Sequence, residues 1–116
     1  MKPTDPPPAI VVRAEDLKTL MEQILVAAGV PHEKAVLVAD PLVASSLRGV
    51  DSHGVQLLPH YVGQIERGDV NPHAEGHVVS ESGACLVYDA EHGLAQVTAP
   101  ICCRHAVRLA AEHGLS

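Results

Sequence analysis

The chain has 116 residues, of which 47% are hydrophobic and only 2% aromatic, with no Trp and no Phe. This length suits one small domain, and its core must be built from Val, Leu, Ile and Ala. Fourteen acidic against eight basic residues give a formal net charge of -6. Because no cluster of Lys and Arg is present to neutralise phosphates, we exclude nucleic-acid binding.

The N-terminus and the cysteines bear on the cellular compartment. Residues 1–9 form a proline-rich lead, which we expect to be a disordered tail before a domain spanning residues 10–116. This lead lacks the apolar stretch of a secretory signal, and no apolar run reaches the roughly 18 residues that cross a bilayer. The cysteines, which we expect to be reduced, lack the spacing of a zinc site or disulfide framework: Cys85, Cys102 and Cys103. We therefore expect a soluble, cytoplasmic protein without membrane partners.

The first half of the chain predicts two amphipathic helices. Apolar residues recur at helical spacing from Leu17 to Ala28, with acidic residues in the first turn and Gly29 as the stop. A second helix is expected to begin at Pro31, and its apolar stripe comprises Ala35, Val38, Ala39, Leu42, Val43 and Ser46. Pro41 interrupts that stripe, so we expect a kink there or two shorter helices.

The second half predicts a further helix, a hairpin and a last helix. The expected elements are a polar loop at 49–54, a short helix that begins near Leu58 and ends before Gly68, strands at 77–80 and 85–89, and a helix ending at Gly114. Thr98 is the expected N-cap of the last helix, which places Pro100 in the tolerated first turn. Helices, a β-hairpin and a following helix together predict an α+β fold.

The densest polar cluster is Arg48-Gly49-Val50-Asp51-Ser52-His53-Gly54, in the loop between two predicted helices. Loops held by rigid elements often carry catalytic residues. An imidazole transfers protons in both directions near neutral pH, and the neighbouring Ser52 hydroxyl is suited to orienting the His53 ring or binding a ligand. The alternative is that Asp51 and Ser52 cap the next helix and that His53 is an ordinary exposed loop residue.

The eight histidines raise a metal site as a second hypothesis. His73 and His77 lie four residues apart, and His53 and His60 lie seven apart, as ligands on one helix face do. Neighbouring proline and glycine residues disfavour a helix through the first pair. No carboxylate or thiolate completes either pair at a familiar spacing, so we expect no metal.

The loop and its surroundings resemble a known family. The stretch from Leu47 to Val55, LRGVDSHGV, is followed by Leu58-Pro59, Tyr61, Gly68, Asn71-Pro72, Val87-Tyr88-Asp89-Ala90 and Gly93-Leu94-Ala95. These residues resemble, in order and spacing, the type-2 malate/L-lactate dehydrogenases, and the resemblance extends from about Ile10 to Ser116. It implies that the chain is the N-terminal part, a partial domain, of a larger non-Rossmann fold whose cofactor-binding domain follows residue 116.

The resemblance also implies an activity and a set of site residues. Family members are homodimers that move a hydride between NAD or NADP and a small 2-hydroxy or 2-keto acid such as malate or lactate. By position, His53 matches the proton donor and acceptor, and Ser52 and Tyr61 match residues at the substrate.

Two departures from the family pattern bear on these expectations. Many relatives carry an arginine where this chain has Leu57, so Arg48 is the candidate for binding the substrate carboxylate, unless it caps the preceding helix. Relatives are also much longer, so we expect the isolated chain to be inactive. The alternative function is an inactive module that only self-associates or binds a partner.

Overall fold

The computed structural model describes residues 10–115, so the expected tail at residues 1–9 lies outside the described residues. The elements follow the order α1 (Ala14–Ala27), α2 (His32–Leu47), two short 3₁₀ turns (Asp51–His53 and Val55–Leu57), α3 (Leu58–Glu66), β1 (His77–Ser82), β2 (Cys85–Asp89) and α4 (Ala95–His113). The predicted α+β class is thereby confirmed. None of the helices in the described range is long and apolar enough to cross a membrane.

The core lies where α1 packs on α2, with α3 and the start of α4 against them. Its buried members are aliphatic apart from Met21, and Met21, Leu25 and Val38 are at most 1% exposed. Each such side chain stabilises the fold by about 1.5–3 kcal/mol through removal from water. The packed pair α1 and α2 is thus the rigid base from which the polar loop leaves.

The helices α1 and α2 end with the same hydrogen-bond pattern. Gly29 and Gly49 have left-handed backbones, with φ of 96° and 75°, which glycine adopts without a Cβ clash. Each is followed by a residue whose N–H reaches five positions back, from Val30 to the Leu25 carbonyl and from Val50 to the Ser45 carbonyl. This Schellman pattern satisfies the last free carbonyls of a helix. Gly29 stops α1 as predicted.

Pro41 does not divide α2. The helix is continuous from His32 to Leu47, so the expectation of two shorter helices is wrong. A proline removes the amide that would donate to the carbonyl four residues earlier, here that of Leu37. Pro41 and Leu37 are both exposed, so water can reach this side of the helix, while the apolar stripe on the other side holds both halves in the core.

The start of α4 was also predicted wrongly. The helix begins at Ala95, with buried Leu94 as its N-cap, and Thr98 is not a cap. The Thr98 hydroxyl donates back to the Leu94 carbonyl at 3.4 Å, inside the first turn. Burial of Leu94 in the core fixes this earlier start. Pro100 therefore lies inside the helix rather than in its first turn.

The two strands form the predicted antiparallel hairpin, with His77 opposite Asp89 and Ser82 opposite Cys85. The register shifts between Val78 and Ser80, a bulge that gives β1 one extra residue. The strand β1 runs to Ser82, two residues further than predicted. Leu86 and Tyr88 of β2 are half-buried, and β2 packs against α4.

Polar contacts tie the hairpin to the rest of the fold. Arg108 of α4 pairs with Glu81 of β1 and with Glu112 one helical turn on. The Tyr88 hydroxyl donates to the Glu75 carbonyl at 2.9 Å, and its ring centroid lies 6.1 Å from that of His105. Tyr88 therefore links the hairpin both to the loop before β1 and to α4.

A buried ammonium links α2 to the same loop. Lys34 is only 6% exposed, and its Nζ donates to the Ala74 carbonyl at 2.8 Å and to Glu75 Oε1 at 3.0 Å. A buried charge is tolerated only when such partners replace water. Local sequence patterns did not predict this contact, because Ala74 and Glu75 lie 40 and 41 residues after Lys34.

Candidate active site

The polar loop is attached at its entrance to the last turn of α2. The Arg48 and Val50 amides both donate to the Ser45 carbonyl, and the Gly49 amide donates to the Ser46 carbonyl, over distances of 2.9 to 3.1 Å. The first 3₁₀ turn follows, in which the His53 amide donates to the Val50 carbonyl at 3.1 Å. His53 thus lies six residues after Leu47, the last residue of α2, a helix whose apolar stripe packs in the core as far as Val43.

The exit of the loop is attached to the same turn of α2. The Val55 amide donates to Ser46 Oγ at 3.0 Å. Gly54 is buried between the two 3₁₀ turns, and a Cβ built there would fall 2.1 Å from Ser46 Oγ. Its φ is -103°, which any residue adopts, so glycine is required here for space. The sequence placed Ser46 in an apolar stripe, but the structure makes it a hydrogen-bond acceptor.

His53 itself is exposed, and its ring is held by the preceding residue. Ser52 Oγ lies 3.0 Å from His53 Nδ1. A hydroxyl can donate to or accept from that nitrogen, so either neutral tautomer of the ring keeps this hydrogen bond. In residues 10–115 the ring has no further hydrogen bond, which leaves Nε2 open to a ligand.

The capping alternative for the loop is not what the structure shows. None of the 3₁₀ turns or α3 has a side-chain cap at its start, so Asp51 and Ser52 do not cap the next helix. The other half of that alternative is confirmed, because His53 is exposed. Exposure leaves the imidazole accessible, as proton exchange with a substrate requires.

The other candidate substrate residues are not joined to His53 by a described contact. Arg48 is the C-cap of α2 and is exposed, and within residues 10–115 its guanidinium makes no ion pair or hydrogen bond. Tyr61 lies on α3, half-buried against the core, with its ring centroid 6.0 Å from that of His60. Leu57, at the position of the family arginine, also packs against the core. The structure therefore brings Ser52 and His53 together through a hydrogen bond, and within residues 10–115 no hydrogen bond joins Arg48 or Tyr61 to either of them.

A shallow apolar cleft adjoins the loop attachment. It has a volume of about 270 Å³, and its lining includes Ser46 and Leu47. Two further clefts lie between α1 and the start of α2 and between the hairpin and α4. None of the three is lined by Lys or Arg, which could pair with the pyrophosphate of a dinucleotide. These three clefts therefore offer no basic side chain to a nicotinamide dinucleotide.

The histidine pairs proposed as metal ligands do not form a site in the described part of the chain. His77 Nδ1 contacts Glu91 Oε1 at 3.1 Å, as an exposed pair. Across residues 10–115 no three side chains among His, Cys, Asp and Glu are grouped closely enough to hold a metal ion. All three cysteines are free thiols, as expected.

The match to known proteins covers most of the chain. A family model described as malate/L-lactate dehydrogenase matches residues 12–116. The chain is 39% identical over 106 residues to a malate dehydrogenase from Pyrococcus horikoshii, covering 91% of this chain and 29% of that protein. It is 34% identical over 104 residues to a 2,3-diketo-L-gulonate reductase from Escherichia coli, covering 90% of this chain and 31% of that protein.

Solved structures agree with the fold. The malate dehydrogenase structure from Pyrococcus horikoshii OT3 superposes with a TM-score of 0.83 over 90% of this chain and 30% of that one, at 39% identity. A sulfolactate dehydrogenase from Methanocaldococcus jannaschii superposes with a TM-score of 0.81 over 88% of this chain and 30% of that one, at 33% identity. The chain thus spans about 30% of the length of these relatives. The resemblance in the sequence is confirmed, and the chain belongs to the malate/L-lactate dehydrogenase family.

Proposed function

We propose that this chain contributes the proton-transfer residue, His53, to an oxidoreductase that acts on a small 2-hydroxy or 2-keto acid such as malate or lactate. The observation that carries the proposal is an exposed imidazole, hydrogen-bonded through Nδ1 to Ser52, on a turn whose two ends are attached to one turn of α2. The relatives, which are two dehydrogenases and a reductase, support the reaction class.

The chemistry requires one group that both takes and gives a proton. When a 2-hydroxy acid is oxidised, its hydroxyl proton must leave as the carbonyl forms, and in the reverse direction the new alkoxide must gain one. A neutral imidazole accepts that proton at Nε2, and an imidazolium returns it. Ser52 Oγ accepts from the Nδ1–H in both states, because a neutral ring whose Nε2 is free to accept carries its hydrogen on Nδ1.

The remaining parts of the site are proposed from the family alone. Ser52 and Tyr61 would contact the substrate, and Arg48 would bind its carboxylate in place of the arginine that Leu57 replaces. NAD or NADP would be the hydride carrier in a homodimer. Since the three clefts described above carry no Lys or Arg, other residues would supply any basic group that pairs with its phosphates.

The test is His53→Gln in an enzyme that joins this chain to the segments corresponding to the rest of its relatives. We expect turnover to fall by about 10²- to 10⁴-fold, with the affinity for reduced nicotinamide unchanged. His60→Gln is the matched control, because His60 is also exposed and lies on the adjacent helix. Near-normal turnover in His53→Gln would reject the assignment.

A second candidate function, for the chain by itself, is self-association or partner binding without chemistry. It is favoured by large aliphatic side chains left in solvent, since Ile10, Val11 and Leu47 are 88%, 94% and 71% exposed. Titration of the isolated chain with reduced nicotinamide, followed by cofactor fluorescence, separates the two functions. We expect no binding and no turnover by the isolated chain, and turnover would contradict this.

A further inference from the structure

We propose that Ser46 is a positioning residue for His53, whose hydroxyl fixes the exit of the turn and so keeps the imidazole in one hydrogen-bonded state with Ser52. The inference rests on the proposed function in one respect only, because a fixed ring matters to catalysis if His53 exchanges a proton with substrate. The positioning itself is a property of the folded chain and is measurable without substrate or cofactor.

Both ends of the turn are attached to the last turn of α2, at Ser45 and Ser46. The Ser45 and Ser46 carbonyls accept the amides at the entrance, and Ser46 Oγ accepts the Val55 amide at the exit. The entrance bonds belong to the end of α2 and use only backbone atoms. The exit bond is the one that depends on a side chain, so a single substitution removes it.

The contact between Gly54 and Ser46 is close as well as polar. Gly54 packs on Ser46 so tightly that an added Cβ would lie 3.2 Å from the Ser46 backbone nitrogen and 2.1 Å from its Oγ. A serine near a helix end often turns its hydroxyl to a carbonyl of its own helix. Here Ser46 Oγ instead receives an amide nine residues later in the chain.

The contact at Ser46 and the His53 ring are connected through the backbone of the turn. His53 immediately precedes Gly54, and the Gly54 amide donates to the Asp51 carbonyl at 3.0 Å, which closes the turn that contains Ser52. The Ser52–His53 bond joins two exposed side chains of neighbouring residues. Such a bond persists only if the backbone between them is held. Loss of the exit bond would free that backbone.

The experiment is nitrogen NMR of the imidazoles in the whole 116-residue chain, at a pH where they are neutral, combined with amide hydrogen exchange. In the unchanged chain we expect the Nδ1–H tautomer of His53 to dominate, with Nδ1 donating to Ser52 Oγ and Nε2 free to accept the substrate proton, and therefore expect well-separated Nδ1 and Nε2 signals. In Ser46→Ala we expect that separation to be lost toward an averaged value, and the Val55 amide to exchange about five- to tenfold faster.

Two variants make this outcome specific. Ser45→Ala is the matched control, because the turn uses only the backbone carbonyl of Ser45. Val38→Ala destabilises the core, where Val38 is 0% exposed, without touching the turn. Both should keep the His53 signals separated. An unchanged His53 spectrum and Val55 exchange in Ser46→Ala would overturn the proposal, as would equal averaging in Val38→Ala.

The same variants separate this inference from the proposed function. If Ser46→Ala averages the ring signals while His53→Gln remains active in the longer enzyme, the positioning stands and the proton-transfer role fails. If Ser46 positions the ring and His53 transfers the proton, Ser46→Ala in that enzyme should lower kcat with little change in KM. Ser45→Ala should change neither kcat nor KM. An unchanged kcat in Ser46→Ala would show that the held ring has no role in turnover and would overturn the catalytic part of the inference.

Discussion

Replacing Gly54 with alanine tests how firmly the turn is held. The new Cβ would lie 2.1 Å from Ser46 Oγ, so the hydroxyl must swing away and leave the Val55 amide without its acceptor. An unsatisfied amide costs about 1–3 kcal/mol, and the remaining crowding costs about 1 kcal/mol or more. Reduced freedom of the unfolded chain returns about 0.4–1 kcal/mol. We expect Gly54→Ala to lower the free energy of unfolding by about 2 kcal/mol.

Urea denaturation followed by circular dichroism measures this loss, with Gly49→Ala as control. Gly49 has a φ of 75° and no atom within 4 Å of an added Cβ, so its cost, about 1–2 kcal/mol, arises in the backbone alone. In a Ser46→Ala background the cost of Gly54→Ala should fall by about 1 kcal/mol, and that of Gly49→Ala should stay the same. Equal costs of Gly54→Ala in both backgrounds would refute the reasoning.

Two further predictions concern contacts outside the loop. Lys34→Met leaves the Ala74 carbonyl without its donor and should lower the free energy of unfolding by about 2 kcal/mol. Glu75→Gln should lower the free energy of unfolding by less than about 1 kcal/mol, because that side chain is 83% exposed. Urea denaturation measures both losses, and a larger loss for Glu75→Gln than for Lys34→Met would contradict the structure. The Arg108 guanidinium lowers the pKa of Glu81 from its ordinary 4.5. Because the folded-state pKa is the lower one, this pair stabilises the fold above about pH 4.5 and loses its contribution as the pH falls further. Thermal melts between about pH 5 and 3 should therefore decline less steeply for Glu81→Gln than for the unchanged chain, and parallel profiles would show that the pair contributes nothing.

The elements that follow a periodic pattern could be predicted from the sequence. The stripe from Leu17 to Ala28, the stop at Gly29 and the turn between the two strands are all local signals. The start of α4 and the effect of Pro41 on α2 were harder to predict, because both depend on packing in the core. Burial of Leu94 moved the start of α4 three residues before Thr98. The buried stripe of α2 likewise kept Pro41 within one helix.

The candidate site shows the same division. His53 and Ser52 were found from their neighbours in the loop, and their mutual hydrogen bond is also local. Ser46 was missed because its partner amide is nine residues away across a turn. A polar residue on an otherwise apolar stripe, one turn before a polar loop, was the available signal. Lys34 gave no such signal, because its partners lie in a distant loop.

The absence of Trp leaves the two tyrosines as the intrinsic fluorophores, and the fold places them in different regions. Tyr88 joins the hairpin, the Glu75 loop and α4, whereas Tyr61 lies on the helix that follows the His53 turn. Replacing either one by Phe would leave a single emitter in each variant. The chain therefore carries two separate optical reporters, one for docking of the hairpin and one for the environment of the candidate site, without any added label.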